Sequence, residues 1–233
     1  MVQSVSSAHV PGPAGLRDRK KARTRQEISD VATRLFAEHG FEQVTLSQIA
    51  EAADVSVKTI FNHFGSKEDL YFDRADEATA ALIDTIAGRP AGTTVLAAVR
   101  GLLTDNLVPF PGRGWGGMDD PAGYEEFRRF LATQDRSPAL RARRLTLGEE
   151  LGDRLAPLLA RELGREPEDV PTQTLATMLI ALLQLRDRVL REAVAERAEP
   201  AVLRRRVTDA VEDACGRLEA AFADLDRPAA PRP

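Results

Sequence analysis

The residues best suited to chemistry lie in one short stretch, 56–63, with the sequence SVKTIFNH. Lys58 can reach a phosphate or a guanine, Thr59 can touch a thymine methyl group, and Asn62 can pair with adenine. In a helix, the outer face of this stretch would carry Val57, Lys58, Thr59, Phe61, Asn62 and His63. The pattern favours a helix that contacts DNA. The alternative is a helical hairpin with a mixed polar face.

Capping signals define the short elements that must position this helix. The run Thr45-Leu-Ser-Gln48 is a capping box, in which the Thr side chain caps a helix and the Gln reaches back. A short helix from Leu46 to Ala53 follows, and a second begins after Ser56. Two short helices joined by a tight turn are typical of a helix-turn-helix. Its apolar contacts would come from Leu46, Ile49, Val55, Ile60 and Phe64.

Longer helices are predicted on both sides of this unit. A helix over Arg19–Glu38 would place one apolar stripe toward the two short helices, with Gly40 as its C-terminal cap. The stripe consists of Ile28, Val31, Ala32, Leu35 and Phe36. Ser66 would cap a further helix that extends to about Ala87.

The charge of the chain is divided unevenly. Residues 1–67 hold nine Lys+Arg and seven Asp+Glu, net +2, whereas residues 68–233 hold 23 and 29, net -6. Within Leu16–Arg25 there are six basic residues and one acid, Asp18. A basic module on an acidic body indicates a polyanionic partner for that module. The alternative is a solvated, flexible basic tail.

The sequence lacks the residues that several functional classes require. Cys215 is the single cysteine, so neither an intrachain disulfide framework nor a cysteine-based zinc cluster can form. The three histidines, His9, His39 and His63, do not have metal-ligand spacing. The most apolar stretch, Leu175–Leu185, is too short to span a bilayer, and the N-terminus lacks the pattern of a secretion signal. We expect a cytoplasmic protein with no catalytic residues, no metal, no cofactor and no membrane partner.

The run FEQVTLSQIAEAADVSVKTIFNHFGSKEDLYF, residues 41–72, resembles the DNA-binding domain of the tetracycline-repressor (TetR) family of bacterial regulators. With the preceding helix, the resemblance covers about residues 20–72. It implies that the outer residues of the second short helix face DNA, and that Thr45, Ser47 and Lys67 lie beside phosphates. Asp54 replaces the glycine usual in the family's turn, and Asp tolerates a left-handed backbone better than most residues.

The predicted fold is therefore all-α, with about nine helices and two domains. Residues 1–18 would be a disordered tail, 19–66 the helix-turn-helix domain, 67–225 an effector-binding and dimerisation domain, and 226–233 a flexible tail. The resemblance is the only support for effector binding.

A candidate effector pocket combines the scarce aromatic residues with nearby polar groups. Its residues would be Phe110, Trp115, Tyr124, Phe127, Phe130, Gln134, Met178 and Gln184. The Arg128-Arg129 and Arg143-Arg144 pairs could hold an acidic ligand such as an acyl-CoA. Ordinary core packing and solvated helix faces are the alternatives.

The last two long helices are the predicted dimer interface and would form a four-helix bundle with the same two helices of a partner chain. In the first of them the apolar residues extend nearly around the helix, which indicates burial on more than one side. The interface residues would be Leu175, Leu179, Leu182, Leu183, Val207, Val211, Leu218 and Phe222. The alternative is a core within a single chain.

The leading functional hypothesis is a transcriptional regulator, most often a repressor in this family, that binds an inverted-repeat operator as a homodimer and is released by a small-molecule effector. An effector-independent or architectural DNA-binding protein is the second hypothesis. An enzyme is the third, and the absence of a nucleophile motif argues against it.

Overall fold

A computed structural model describes residues 15–105 and 120–222, and every regular element within those ranges is an α-helix. This confirms the predicted all-α class. The ten helices are α1 (Leu16–His39), α2 (Leu46–Ala52), α3 (Val57–His63), α4 (Lys67–Tyr71), α5 (Asp73–Ala87), α6 (Val95–Asp105), α7 (Pro121–Arg136), α8 (Pro138–Leu163), α9 (Val170–Ala195) and α10 (Pro200–Phe222).

The described part of the chain has ten helices where about nine were predicted, because the helix expected over Lys67–Ala87 divides at Phe72. Leu70, Tyr71, Phe72 and Asp73 are all buried. Four successive residues span most of the circumference of a helix, since each residue advances about 100°. One straight helix therefore cannot turn all four inward, and the bend lets each of them pack.

Helices α1, α2 and α3 form a small domain, called the reader below. Ile28, Ala32 and Phe36 of the predicted α1 stripe are at most 1% exposed, and Val31 and Leu35 pack around them. The reader core is extended by aromatic residues from outside it: Tyr71 and Phe72 from the α4–α5 junction, and Phe130 from α7.

Local signals end and start the helices of the reader as predicted. Thr45 and Gln48 form both hydrogen bonds of the capping box, and the Ser56 side chain accepts a hydrogen bond from the Thr59 N–H. Gly40 ends α1 with φ of 80°. Asp54 adopts φ of 52°, so this position does require the left-handed backbone that the family's usual glycine provides.

Helices α5–α10 form the larger domain, called the body. Its core contains Leu82 and Ile86 of α5, Phe127 of α7 and apolar faces of α6, α8, α9 and α10.

Helix α7 joins the two cores. Phe127 is fully buried in the body, whereas Phe130, three residues later, belongs to the reader core and stacks on Tyr71 with ring centroids 4.3 Å apart. The Tyr71 hydroxyl donates a 2.7 Å hydrogen bond to the Phe130 carbonyl, and burial raises the pKa of Tyr71 well above its ordinary value. Helix α7 is therefore packed in both cores at once.

Candidate DNA-binding interface

The outer face of α3 carries the exposed side chains of Lys58, Phe61 and Asn62. The opposite face is anchored by Ile60, which is 1% exposed. Phe61 is 55% exposed, which is unusual for a phenylalanine outside an interface. Lys58, Phe61 and Asn62 are spaced i, i+3 and i+4, so one face of α3 presents a cation, an aromatic ring and an amide to the surface.

The other three predicted residues of α3 turn partly inward. Val57 packs against the reader core, and the Thr59 hydroxyl lies 2.8 Å from that of Ser56. His63 is half-buried, and its Nδ1 has no hydrogen-bond partner among the described residues. Burial first, and then the positive charges of Lys21 and Arg25, lower the pKa of His63 below its ordinary value, which favours the neutral imidazole.

Thr45 and Ser47 lie exposed at the start of α2. The Thr45 hydroxyl accepts the Gln48 N–H at 3.2 Å, and the Gln48 side-chain oxygen accepts the Thr45 N–H at 2.8 Å. Thr45 is thus held in one position by the cap, with its side chain at the surface.

Lys67 has a role that its place in the sequence did not indicate. Its Nζ donates to the carbonyls of Phe41 and Val44 at 2.9 and 3.0 Å and lies 4.1 Å from the centre of the Phe41 ring. Two of its three N–H donors therefore tie α4 to the loop between α1 and α2. One donor remains for the phosphate contact that the resemblance implies.

Arg25 is a positioning residue that the sequence predictions missed. Its guanidinium donates to the His63 carbonyl at the end of α3, forms a 2.5 Å ion pair with the buried Asp73, and lies 4.5 Å from the centre of the Phe64 ring. It joins three helices at the end of α3. Its spacing three residues before Ile28 was the available signal, because residues three apart share a helix face.

The sequence model for bacterial regulatory proteins of the tetR family matches residues 28–73. The HTH-type transcriptional regulator TcmR of Streptomyces glaucescens is 33% identical over 164 residues, which cover 70% of this chain and 71% of TcmR. The chain belongs to the TetR family. It is a helix-turn-helix transcriptional regulator, and the resemblance seen in residues 20–72 is confirmed.

Other TetR-family relatives and folds agree with this assignment. The transcriptional repressor AcnR of Corynebacterium glutamicum is 30% identical over 169 residues, covering 70% of this chain and 80% of AcnR. The fold is similar to that of SmeT, solved as a complex with triclosan, with a TM-score of 0.53, 21% identity, and coverage of 91% of this chain and 98% of SmeT.

The residues predicted to form an effector pocket in this TetR-family chain do not come together as one set. Phe110 and Trp115 lie outside the described residues. Phe127 and Phe130 are buried in two different cores, which agrees with the alternative of ordinary core packing. The remaining four also lie apart. The Tyr124 hydroxyl donates to the Ala198 carbonyl at 2.8 Å, and the Gln134 side chain accepts a hydrogen bond from Arg191. Gln184 is exposed, and Met178 lines a surface groove.

The groove at Met178 is open and has a volume of about 450 Å³. It follows the first turns of α9 and is lined by Glu168, Val170, Gln173, Thr174, Thr177 and Met178. Val170 is 77% exposed. None of the other predicted pocket residues within 120–222 reaches this groove.

The arginine pairs considered for an acidic ligand are largely engaged within the chain. Arg128 pairs with Glu125, Arg143 with Asp69 and Glu150, and Arg144 with Asp187. The positive charge of these three is already balanced, so their geometry does not favour an acyl-CoA ligand.

The predicted dimer residues require a correction. Leu175, Leu179, Leu182, Val207 and Val211 are at most 3% exposed within a single chain, because α6, α8, α9 and α10 of the same body cover them. They form the body core and leave almost no surface for a second chain. Leu183 and Leu218 are only partly buried and remain candidates, and the side chain of Phe222 lies outside the described residues.

Among the described residues, no group of three or more His, Cys, Asp or Glu side chains is arranged to hold a metal ion. In the same ranges, the helices are either too short or too polar to cross a membrane.

Proposed function

We propose that this TetR-family regulator is a repressor that binds an inverted-repeat operator as a homodimer and is released by a small-molecule effector. The observation that carries the DNA-binding part is the exposed face of α3, formed by Lys58, Phe61 and Asn62 on a firmly capped helix. Repression follows by analogy with AcnR, whose name describes a repressor. Binding to an operator implies work in the bacterial cytoplasm.

Each exposed residue of α3 has a proposed contact. Asn62 pairs with an adenine, Lys58 reaches a guanine or a phosphate, and Phe61 lies against a thymine methyl group. Thr45 and Ser47 contact phosphates from the start of α2, where their side chains are exposed. Val57, Thr59 and His63 support the helix more than they read bases, since all three are partly buried.

A homodimer accounts for an inverted repeat, because two recognition helices then enter successive major grooves about 34–36 Å apart. We propose the outer faces of α9 and α10 as the interface, with Leu183 and Leu218 at its centre and Val170 at its edge. Val170 is 77% exposed on one chain, and burial of such a side chain favours association. Leu218→Glu should convert the dimer to monomer in sedimentation velocity, whereas Glu149→Ala, at an exposed site of α8, should not.

The effector is proposed to act in the body. SmeT, whose fold is similar, was solved as a complex with the small molecule triclosan. Helix α7 is the proposed route to the reader, since Phe127 lies in the body core and Phe130 in the reader core. The effector must bind the DNA-incompetent state more tightly than the competent one, because a ligand with equal affinity shifts nothing.

The deciding experiment is selection of random and genomic duplexes by the purified protein, followed by sequencing. One enriched inverted repeat is the expected result, and binding without enrichment that disappears at moderate salt would refute a sequence-specific operator. Asn62→Ala should relax the preference at one position of each half-site. Gln184→Ala, an exposed amide of the body, is the matched control and should leave the selected sequence unchanged.

Small molecules are then screened against the selected duplex. A compound that raises Kd for the operator without unfolding the protein supports effector-controlled release. If no compound does so, the effector-independent DNA-binding protein becomes the better description.

A further inference from the structure

Helix α1 extends well beyond the core that it helps to build. It begins at Leu16, yet none of residues 17–27 is buried. These eleven residues make about three turns, or about 16 Å of helix. Residues 17–23 are all exposed. The projecting part, called the α1 arm below (residues 17–23), therefore contributes nothing to the apolar core and must be explained by its surface.

The surface of the α1 arm is basic and its charges are mostly not balanced. Arg17, Arg19, Lys20 and Lys21 form no ion pair with any described side chain, whereas Arg23 pairs with Glu27. The body arranges its arginines differently. Many of them contact carboxylates, including Arg89, Arg100, Arg128, Arg143, Arg144, Arg191 and Arg217. Positive charge is thus left available at the arm and neutralised in much of the body.

One row of the arm is aligned with the recognition helix. Arg17 and Lys21 precede Arg25 at intervals of four residues, so the three side chains lie within about 80° of the helix circumference. Arg25 donates to the carbonyl of His63 at the end of α3. After burial, the positive charge of Lys21 is the next largest cause of the lowered pKa of His63.

We propose that Arg17 and Lys21 contact DNA phosphates on the flank of the operator, so that the α1 arm widens the DNA interface beyond the helix-turn-helix. This inference rests on the proposed operator binding by α3. A helix in the major groove, which is about 12 Å wide, has a phosphate backbone on either side. A cationic row that starts at the end of that helix and continues outward reaches this backbone without reading bases.

The arm offers its own matched control. Arg19 and Arg23 lie about 200–240° from Arg17, on the opposite side of the same turns. The double variants R17Q/K21Q and R19Q/R23Q remove the same formal charge from the same segment. Neither changes a core residue, and equal unfolding midpoints for both verify that the fold is retained.

The measurement is affinity for the selected operator as a function of salt, with wild-type protein and both double variants. Each lost phosphate contact lowers the slope of log K against log salt by about 0.9, so R17Q/K21Q should lose about two units for each bound protomer. Its affinity at about 0.1 M salt should fall at least roughly ten-fold, with an unchanged selected sequence. R19Q/R23Q should keep a slope close to that of wild type.

A duplex trimmed to the ends of the inverted repeat gives a second readout. On it, wild-type protein should lose the advantage that it holds over R17Q/K21Q on the longer duplex. Equal losses for both double variants, or no loss for R17Q/K21Q, would overturn the proposed contacts. Absence of operator selection by wild-type protein would instead count against the proposed function itself, so the two failures are distinguishable.

Discussion

Lys67→Met is expected to destabilise the reader although the side chain lies at a position associated with DNA contact. The variant keeps most of the apolar stem and removes the ammonium, which donates to two carbonyls at 2.9 and 3.0 Å. Hydrogen bonds to a charged group contribute about 1.5–3 kcal/mol each when well buried. The Lys67 side chain is half-buried, so hydrogen bonds to water would compensate for part of the stabilisation that these two bonds provide. Contact of the ammonium with the Phe41 ring adds about 0.5–1 kcal/mol.

The expected net loss is about 2–3 kcal/mol in the free energy of unfolding, equivalent to roughly 5–10 °C in Tm for a chain of this size. Urea denaturation at pH 7 and one fixed protein concentration measures it, since dimer formation would make the midpoint depend on concentration. Lys58→Met is the matched control: Lys58 is exposed on α3, so its loss should change stability by less than about 0.5 kcal/mol while weakening DNA binding.

A loss below about 0.5 kcal/mol for Lys67→Met would refute the internal tie. If the salt slope of operator binding also falls by about one unit, the remaining N–H of Lys67 contacts a phosphate as the resemblance implies. The two roles are thus separated by two different measurements on one variant.

Three further predictions follow from buried groups. Burial raises the pKa of Cys215 to about 11, so Ellman's reagent at pH 8 should label it only after unfolding, and fast labelling of native protein would contradict this burial. Burial lowers the pKa of His63, so the unfolded chain takes up a proton more readily than the folded chain as the pH falls. The free energy of unfolding should therefore decrease between pH 7 and pH 5, and His63→Gln should make this decrease smaller. Equal pH dependence of the free energy of unfolding in the two proteins would refute the assignment. Tyr71→Phe keeps the stack on Phe130 and removes the hydroxyl, and should cost about 1 kcal/mol in urea denaturation, whereas no loss would show that the hydrogen bond is unimportant.

Predictions based on local patterns agreed closely with the structure. The capping box of Thr45 and Gln48, the cap of Ser56, the glycine end of α1 and the left-handed turn at Asp54 all depend on atoms within four residues of each other. The partners in such contacts are close in sequence, so the contacts can be predicted without knowledge of distant segments.

Predictions that needed contacts between distant segments were less successful. The apolar residues of α9 extend nearly around the helix, which indicated burial on more than one side but not which chain covers them. The structure places Leu175, Leu179 and Leu182 in the core of their own body. An apolar side chain carries no information about whether its covering surface belongs to the same molecule, since burial is non-directional.

The aromatic residues of α7 show the same limitation. Phe127 and Phe130 are one turn apart, and the clustering of aromatic residues in this part of the sequence suggested one pocket. They enter different cores because α7 crosses the junction between reader and body at that turn.

The all-α class, the helix-turn-helix and its caps were predictable from the amino-acid sequence, because each of these depends on helix periodicity and short-range hydrogen bonds. The family was predicted from the resemblance of residues 41–72. The tertiary structure decided which cations are available. Lys67 and Arg25 are held by carbonyls and a carboxylate that lie 23–48 residues away, whereas Lys58 remains exposed. A charged side chain has the same sequence signal in either case, and only the packing of distant helices brings an internal partner within hydrogen-bond distance.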